Sequence, residues 1–268
     1  MASMMPCCSQ PQSGRMPRST SVVAPRLGVM QRRGQPTMPP RLRQMQALAV
    51  VRDEASGVEF PIVQKFWQTE DMRCLGCMTR SKKFMIVAVK VYSVAAYVEA
   101  ERCAKELGVR SRGGFFENDD DYCSALLDGA FSKALLIRLV RDVEGQQFLD
   151  ALNTTLVPRM SLAGETAKLA EFQQVFEGKK LVSGTEIAMV GSVVGDLDVT
   201  ITGPGASRAY DSVTPERRIQ SMALTRGLFE LFLGSNSVVP QARPVWSQGA
   251  KLLLESEEVK RATRKSGS

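Results

Sequence analysis

The chain has 268 residues, a formal charge of +7 and no histidine. The length allows one or two domains, and the absence of His excludes Ser-His-Asp and Cys-His nucleophile systems, His acid–base catalysis and imidazole zinc sites. Residues 1–50 hold seven Arg and no acid while 51–268 balance at 28 basic and 28 acidic residues, so the body is neutral and no nucleic-acid partner is implied.

The first fifty residues also carry seven of the 13 Pro and seven of the 13 Met, with Ser and Gln and no helical or strand period. Arg-rich, Ser-containing, acid-free composition is that of an organellar transit peptide, and the apolar core of a secretory signal is missing. A disordered tail without an address is the alternative. Early Ser, Pro and Met without an amphipathic helix favour the chloroplast over the mitochondrion. The expected division is a disordered transit peptide over 1–50, a folded domain over 51–258 and a disordered basic tail over 259–268.

Gly57 to Phe66 reads as one strand with Pro61 near its start, a position suited to a sheet edge. The stretch from Arg73 to Val98 organises the rest. Its second half, Phe84 to Val98, is β-branched, aromatic and small-apolar with one charge, Lys90. That composition predicts a long buried strand. A transmembrane helix is excluded, because the apolar run is 15 residues and about 20 are needed. Cys74-Leu-Gly-Cys77 has the spacing of a redox or zinc motif, but Cys103 and Cys123 stand alone and give no second metal-spaced pair. Buried small apolar residues are the simpler reading, and no metal or cofactor is expected.

Glu99 to Leu107 predicts a short helix ended by Gly108. Asn118-Asp-Asp-Asp-Tyr122 lacks the pattern of a calcium loop and reads as an acidic helix start. Lys133 to Arg141 is a second strong strand. A helix follows with Phe148, Ala151, Leu152, Thr155 and Leu156 on one face. Thr155 is its polar member, expected to bond the carbonyl one turn back if it is only structural. Pro158 should end or kink this helix, and 163–176 predicts another. Thr185–Val190 and Asp196–Thr202 read as a hairpin. Thr214-Pro-Glu216 looks like a helix start, with Ile219, Met222, Ala223, Phe229 and Phe232 as its apolar face. A closing helix runs from Pro240 to about Glu255.

Strands come mostly first and helices accumulate later. This predicts an α+β domain, a large antiparallel sheet covered on one face by a layer of helices. Tyr92-Ser-Val-Ala-Ala-Tyr97 beginning twelve residues after Arg80, Gly145-Gln-Gln-Phe-Leu-Asp150, and Leu231-Phe-Leu-Gly234 before Val239-Pro240 together resemble the chalcone isomerase family. The resemblance runs from about Gly57 to Leu254 and implies an open-faced β-sandwich with a cleft between sheet and helices.

That family has two branches. The catalytic branch closes a flavanone ring, an intramolecular lyase reaction. It keeps an Arg at the position of Arg80 and has Thr, Tyr, Asn and Ser or Thr where this chain has Tyr92, Phe148, Thr155 and Leu231. The hydrogen-bonded cradle for a chalcone oxyanion is therefore not assembled, and no catalytic residue is assigned. The other branch comprises plastid fatty-acid-binding proteins, in which an Arg and a Tyr at the positions of Arg80 and Tyr92 hold a carboxylate. A guanidinium suits a carboxylate bidentately and a phenol adds a directed donor. The resemblance thus implies non-catalytic binding of a free fatty acid by Arg80 and Tyr92 in the chloroplast stroma, supporting plastid lipid metabolism. Phe148, Thr155, Leu231 and Phe232 would line the acyl pocket. The alternative is an intramolecular lyase on a phenolic substrate, and plain core packing is the alternative for each lining residue.

Overall fold

The computed structural model describes residues 49–67, 69–84, 87–206, 210 and 214–266. The transit-peptide reading of residues 1–50 falls almost wholly outside them.

A β-branched, aromatic and small-apolar run without Gly or Pro favours extended backbone, and such a run, Val87–Glu99, pairs with the more polar Met72–Phe84 in the hairpin at the centre of the molecule. β4 (Met72–Phe84) and β5 (Val87–Glu99) pair antiparallel along their lengths. β3 (Val63–Gln64), β6 (Lys133–Leu139), β9 (Glu186–Gly191), β10 (Asp196–Thr202) and β11 (Arg217–Gln220) complete a seven-stranded antiparallel sheet in the order β11-β10-β9-β6-β5-β4-β3. β1 (Val50–Arg52) pairs with β2 (Glu59–Pro61), and β7 (Val143–Glu144) with β8 (Lys180–Leu181).

Alternation along β5 sends successive side chains to opposite faces. Tyr92, Val94, Ala96 and Val98 join a core built with the helices. These are α1 (Ala100–Arg112), α2 (Asp119–Asp128), α3 (Gly145–Leu162), α4 (Thr166–Gln174), α5 (Met222–Leu233) and α6 (Ala242–Ser266). Ala95 and Tyr97 face the other way, into a smaller cluster with Phe60, Phe66, Trp67 and Tyr210. The protein is thus α+β: an open-faced sandwich of the expected kind, with helices on one face of the sheet and the β1–β2 ribbon on the other.

Several elements depart from the sequence reading. The strand expected over Gly57–Phe66 divides at Ile62, whose N–H donates to Ala49 while its carbonyl accepts from Cys74. The chain thereby passes from the small ribbon to the edge of the large sheet. Gly108 does not stop α1. It is buried where a Cβ would lie 3.4 Å from Leu254 Cδ1, so it serves close helix packing. Pro158 lies inside α3, on its exposed side, where water can satisfy the freed carbonyl. The expected helix start at Thr214 is wrong. Residues 217–220 add an edge strand, Ile219 belongs to it, and Ser221 caps α5 by accepting from Leu224 N–H at 3.0 Å. Arg218, bonded to Asp198 across the β10–β11 pair, favours the strand. Met222 is 56% exposed rather than part of the apolar face. The acidic start at Asn118 is a helix cap as expected: Asn118 and Asp121 form a reciprocal capping box.

Candidate functional site

Arg80 and Tyr92 stand directly opposite one another in the β4–β5 register, beside a bulge between Arg80 and Ser81. Alternation turns both toward the helices. Arg80 Nη1 donates to Tyr92 Oη at 3.4 Å, and the guanidinium carbon lies 5.5 Å from the phenol ring centroid. Tyr92 is fully buried and Arg80 half-buried. Burial pushes the phenol pKa up and the neighbouring guanidinium only partly offsets this, so Tyr92 keeps its proton.

An ion pair with a strand carboxylate would have made Arg80 purely structural. Among the described residues its polar partner is Tyr92, and no carboxylate neutralises it. The phenol oxygen accepts from Arg80, which leaves the O–H hydrogen to be donated elsewhere. The remaining guanidinium donors and that hydroxyl form a compact group of hydrogen-bond donors.

Phe148 closes the other side of Tyr92. The two rings meet edge to face at 6.2 Å, and Phe148 continues through Phe176 at 5.2 Å to Phe172 at a further 5.3 Å. Leu139 on β6 flanks Tyr92 in register. Leu231 and Phe232 are buried on α5 in the same core. Thr155 lies half-buried two turns beyond Phe148 and makes no side-chain hydrogen bond among the described residues. The bond to the carbonyl one turn back is made instead by Thr154, to Asp150. The structure therefore joins Arg80, Tyr92 and Phe148 in one contact chain, with Leu231 and Phe232 in the surrounding core and Thr155 half-buried outside it.

Phe172 and Phe176 have no place in the sequence reading of the site, which gives 163–176 only as a further helix. A second omission lies on the reverse of the sheet. The cross-strand pair beside Arg80 and Tyr92 is Thr79 and Ser93. Both hydroxyls donate to Asp53 Oδ2, joined by Ser56 at 2.8 Å and by the Ala55 N–H to Oδ1 at 3.1 Å. Burial alone would raise the Asp53 pKa, but these bonds outweigh it and hold the carboxyl below its ordinary range. No local signal joins them, because Thr79 and Ser93 lie 26 and 40 residues from Asp53 and meet only through the strand register.

Cys74 and Cys77 are free, buried thiols. The register shift around Gly76, whose φ is +137°, turns both toward the ribbon side. Burial pushes their pKa values up to about 11 and about 12, opposite to what a reactive or metal-binding pair needs. Among the described residues no group of three or more His, Cys, Asp or Glu could hold a metal ion. No described helix is long and apolar enough to cross a membrane.

This sheet and its single helical layer make up the chalcone-isomerase fold. The crystal structure of a fatty-acid-binding protein from Arabidopsis thaliana superposes with a TM-score of 0.62 at 18% sequence identity, covering 77% of this chain and 99% of that one. A chalcone–flavanone isomerase from Canna generalis is 24% identical over 172 residues, which are 61% of this chain and 74% of the isomerase. No protein-family model matches the chain.

Proposed function

We propose that the protein binds a free fatty acid without turning it over, with the carboxylate held by Arg80 and Tyr92 and the chain directed into the apolar core between sheet and helices. The carrying observation is that Arg80 lacks a carboxylate partner among the described residues while a buried phenol lies beside it with a hydrogen to donate. An added carboxylate would satisfy both. Phe148, Leu231 and Phe232 offer apolar surface for the chain, and the likeness to a fatty-acid-binding protein supports the same reading. We extend the proposal to a plastid lipid role, supported by the Arg-rich, acid-free composition of residues 1–50. Import of the full chain into isolated chloroplasts, with cleavage near residue 50, tests the location; exclusion from the organelle counts against it.

The competing reading is an intramolecular lyase. It is favoured by the isomerase relative, but beside Tyr92 the apolar ring of Phe148 stands where catalysis would need a donor. Small molecules extracted from the purified protein and from Arg80→Ala are compared by mass spectrometry. Fatty acids in the parent and none in a folded variant are expected. An empty parent that also fails to take up added fatty acid removes the proposal, as does chalcone cyclisation well above the spontaneous rate.

A further inference from the structure

A cavity of about 630 Å³ opens on the protein well away from Arg80, between β4 and α6. This volume lies in the ordinary range for small-molecule sites. Its origin is in the sheet edge. β3 pairs with β4 only at Val63–Arg73 and Gln64–Met72, so the outer edge of β4 loses its sheet neighbour just beyond Arg73. The β1–β2 ribbon side contributes Val51 and Ile62, β4 contributes Leu75, and α6 contributes Val245 and Leu252. Leu252 is 55% exposed, a large apolar side chain left at the edge of a concave apolar surface.

One charged side chain stands in this lining, Arg73, which is exposed and has no hydrogen bond or ion pair among the described residues. Mostly apolar walls, with Gln248 and Ser256 as neutral polar members and Arg73 as a single unneutralised cation, select a molecule that is apolar along its length and anionic at one end. Seven positions of strand separate Arg73 from Arg80, a span of about 23 Å at roughly 3.3 Å per residue. One guanidinium cannot serve the other's ligand head.

We propose that this cavity is a second ligand site, for a single-chain amphiphile with an anionic head. Arg73 meets the head and the wall from Leu75 to Leu252 covers the chain. The inference is independent of any binding at Arg80. Cys74 also lines the cavity, but its thiol is not needed for recognition.

The test titrates full-length protein with [1-13C]dodecanoate and follows the carboxylate carbon by NMR. Two bound resonances are expected if both sites fill. Arg73→Glu should weaken one at least tenfold and leave the other, and Leu252→Trp, which fills the wall from an exposed position, should act on the same resonance. Arg80→Ala should act only on the other. Acetate, a head without a chain, should displace neither. Circular dichroism confirms that each variant is folded. A resonance lost in Arg80→Ala but indifferent to Arg73→Glu and Leu252→Trp, with no second one, overturns the second site and leaves the Arg80 reading intact. A single resonance with the opposite response supports the cavity and removes the Arg80 site. Displacement by acetate at equal concentration reduces the feature to an anion contact and overturns the proposal.

Discussion

Replacing Asp53 by Ala should destabilise the protein more than any surface change, and the structure sets the size of the effect. Asp53 is 3% exposed, and its carboxylate collects the hydroxyls of Thr79 and Ser93, which are 8% and 0% exposed. Ser56 and the Ala55 N–H also bind it but lie nearer the surface and can turn to water. Thr79 and Ser93 cannot. A buried hydrogen-bonding group left without its charged partner costs about 1.5–3 kcal/mol, so the pair predicts a loss of about 3–6 kcal/mol. That is a large part of a typical total of about 5–15 kcal/mol. Asp53→Asn keeps the shape and an acceptor oxygen and should cost about 1–2 kcal/mol. Urea unfolding followed by circular dichroism measures both. The pH dependence is a second check. The folded carboxyl has a depressed pKa, so its contribution is complete above the unfolded value of about 4 and is lost as pH falls through the folded value. The gap between parent and Asp53→Asn should therefore shrink below about pH 4. A loss under about 0.5 kcal/mol in Asp53→Ala, or a gap that does not change with pH, refutes the view that this carboxylate clamps the hairpin from behind.

Gly249 faces the Leu75 carbonyl so closely that an added Cβ would lie 1.8 Å from the oxygen. Gly249→Ala should push α6 off β4 and lower stability by at least about 3 kcal/mol, read as a shifted urea midpoint; an unchanged midpoint would contradict the close approach. Arg138 and Glu186 form a buried ion pair, Tyr210 donates to the same carboxylate at 2.7 Å, and Arg138 also reaches the Glu59 carbonyl at 2.9 Å. Arg138→Met should cost about 1.5–3 kcal/mol because it removes charge-assisted hydrogen bonds to Glu186 and to the Glu59 carbonyl, and a double-mutant cycle with Glu186→Gln should show that the two side chains are coupled. Cys74 and Cys77 should resist iodoacetamide at pH 8 in the native protein and react after unfolding, since burial holds their pKa values at about 11 and about 12. Mass spectrometry of the native protein showing rapid modification would contradict that.

The sheet was legible because its strands carry strong local signals. Phe84–Val98 and Lys133–Arg141 are runs whose composition admits little else. The errors fall where tertiary contacts overrule local chemistry. Thr214-Pro-Glu216 has good helix-start residues, yet the backbone at Arg217–Gln220 pairs with β10 and the helix waits for Ser221. Gly108 looks like a helix stop until Leu254 packs against it. At the site, Arg80 and Tyr92 could be paired only through the family resemblance, since strand register is not written in either strand alone. The carboxylate of Asp53 behind them had no readable partner, because Thr79 and Ser93 lie 26 and 40 residues away. The cavity beside Arg73 depends on where β3 ends, a boundary that the sequence had drawn through one unbroken strand.

The division of labour between head and chain gives the sharpest test of the fatty-acid reading. A carboxylate reaching Arg80 must shed water, as must the guanidinium, so the net gain from their bonds is only about 1.5–3 kcal/mol. A methylene buried along the apolar core contributes about 0.8 kcal/mol, close to a fourfold change in affinity. The head therefore fixes orientation, and the chain supplies most of the affinity. Two consequences follow for a series of saturated acids measured by isothermal titration. Affinity at the Arg80 site should rise about fifteenfold for every two methylenes until the chain outgrows the depth that the core can yield to it, and then level off. Arg80→Ala should lower every member by a similar factor of about ten to a hundred, because it removes only the head contribution. A flat series in the parent would mean that the chain stays in water. Arg80 would then be an anion contact, and the packed aromatic row of Phe148, Phe172 and Phe176 would be core alone.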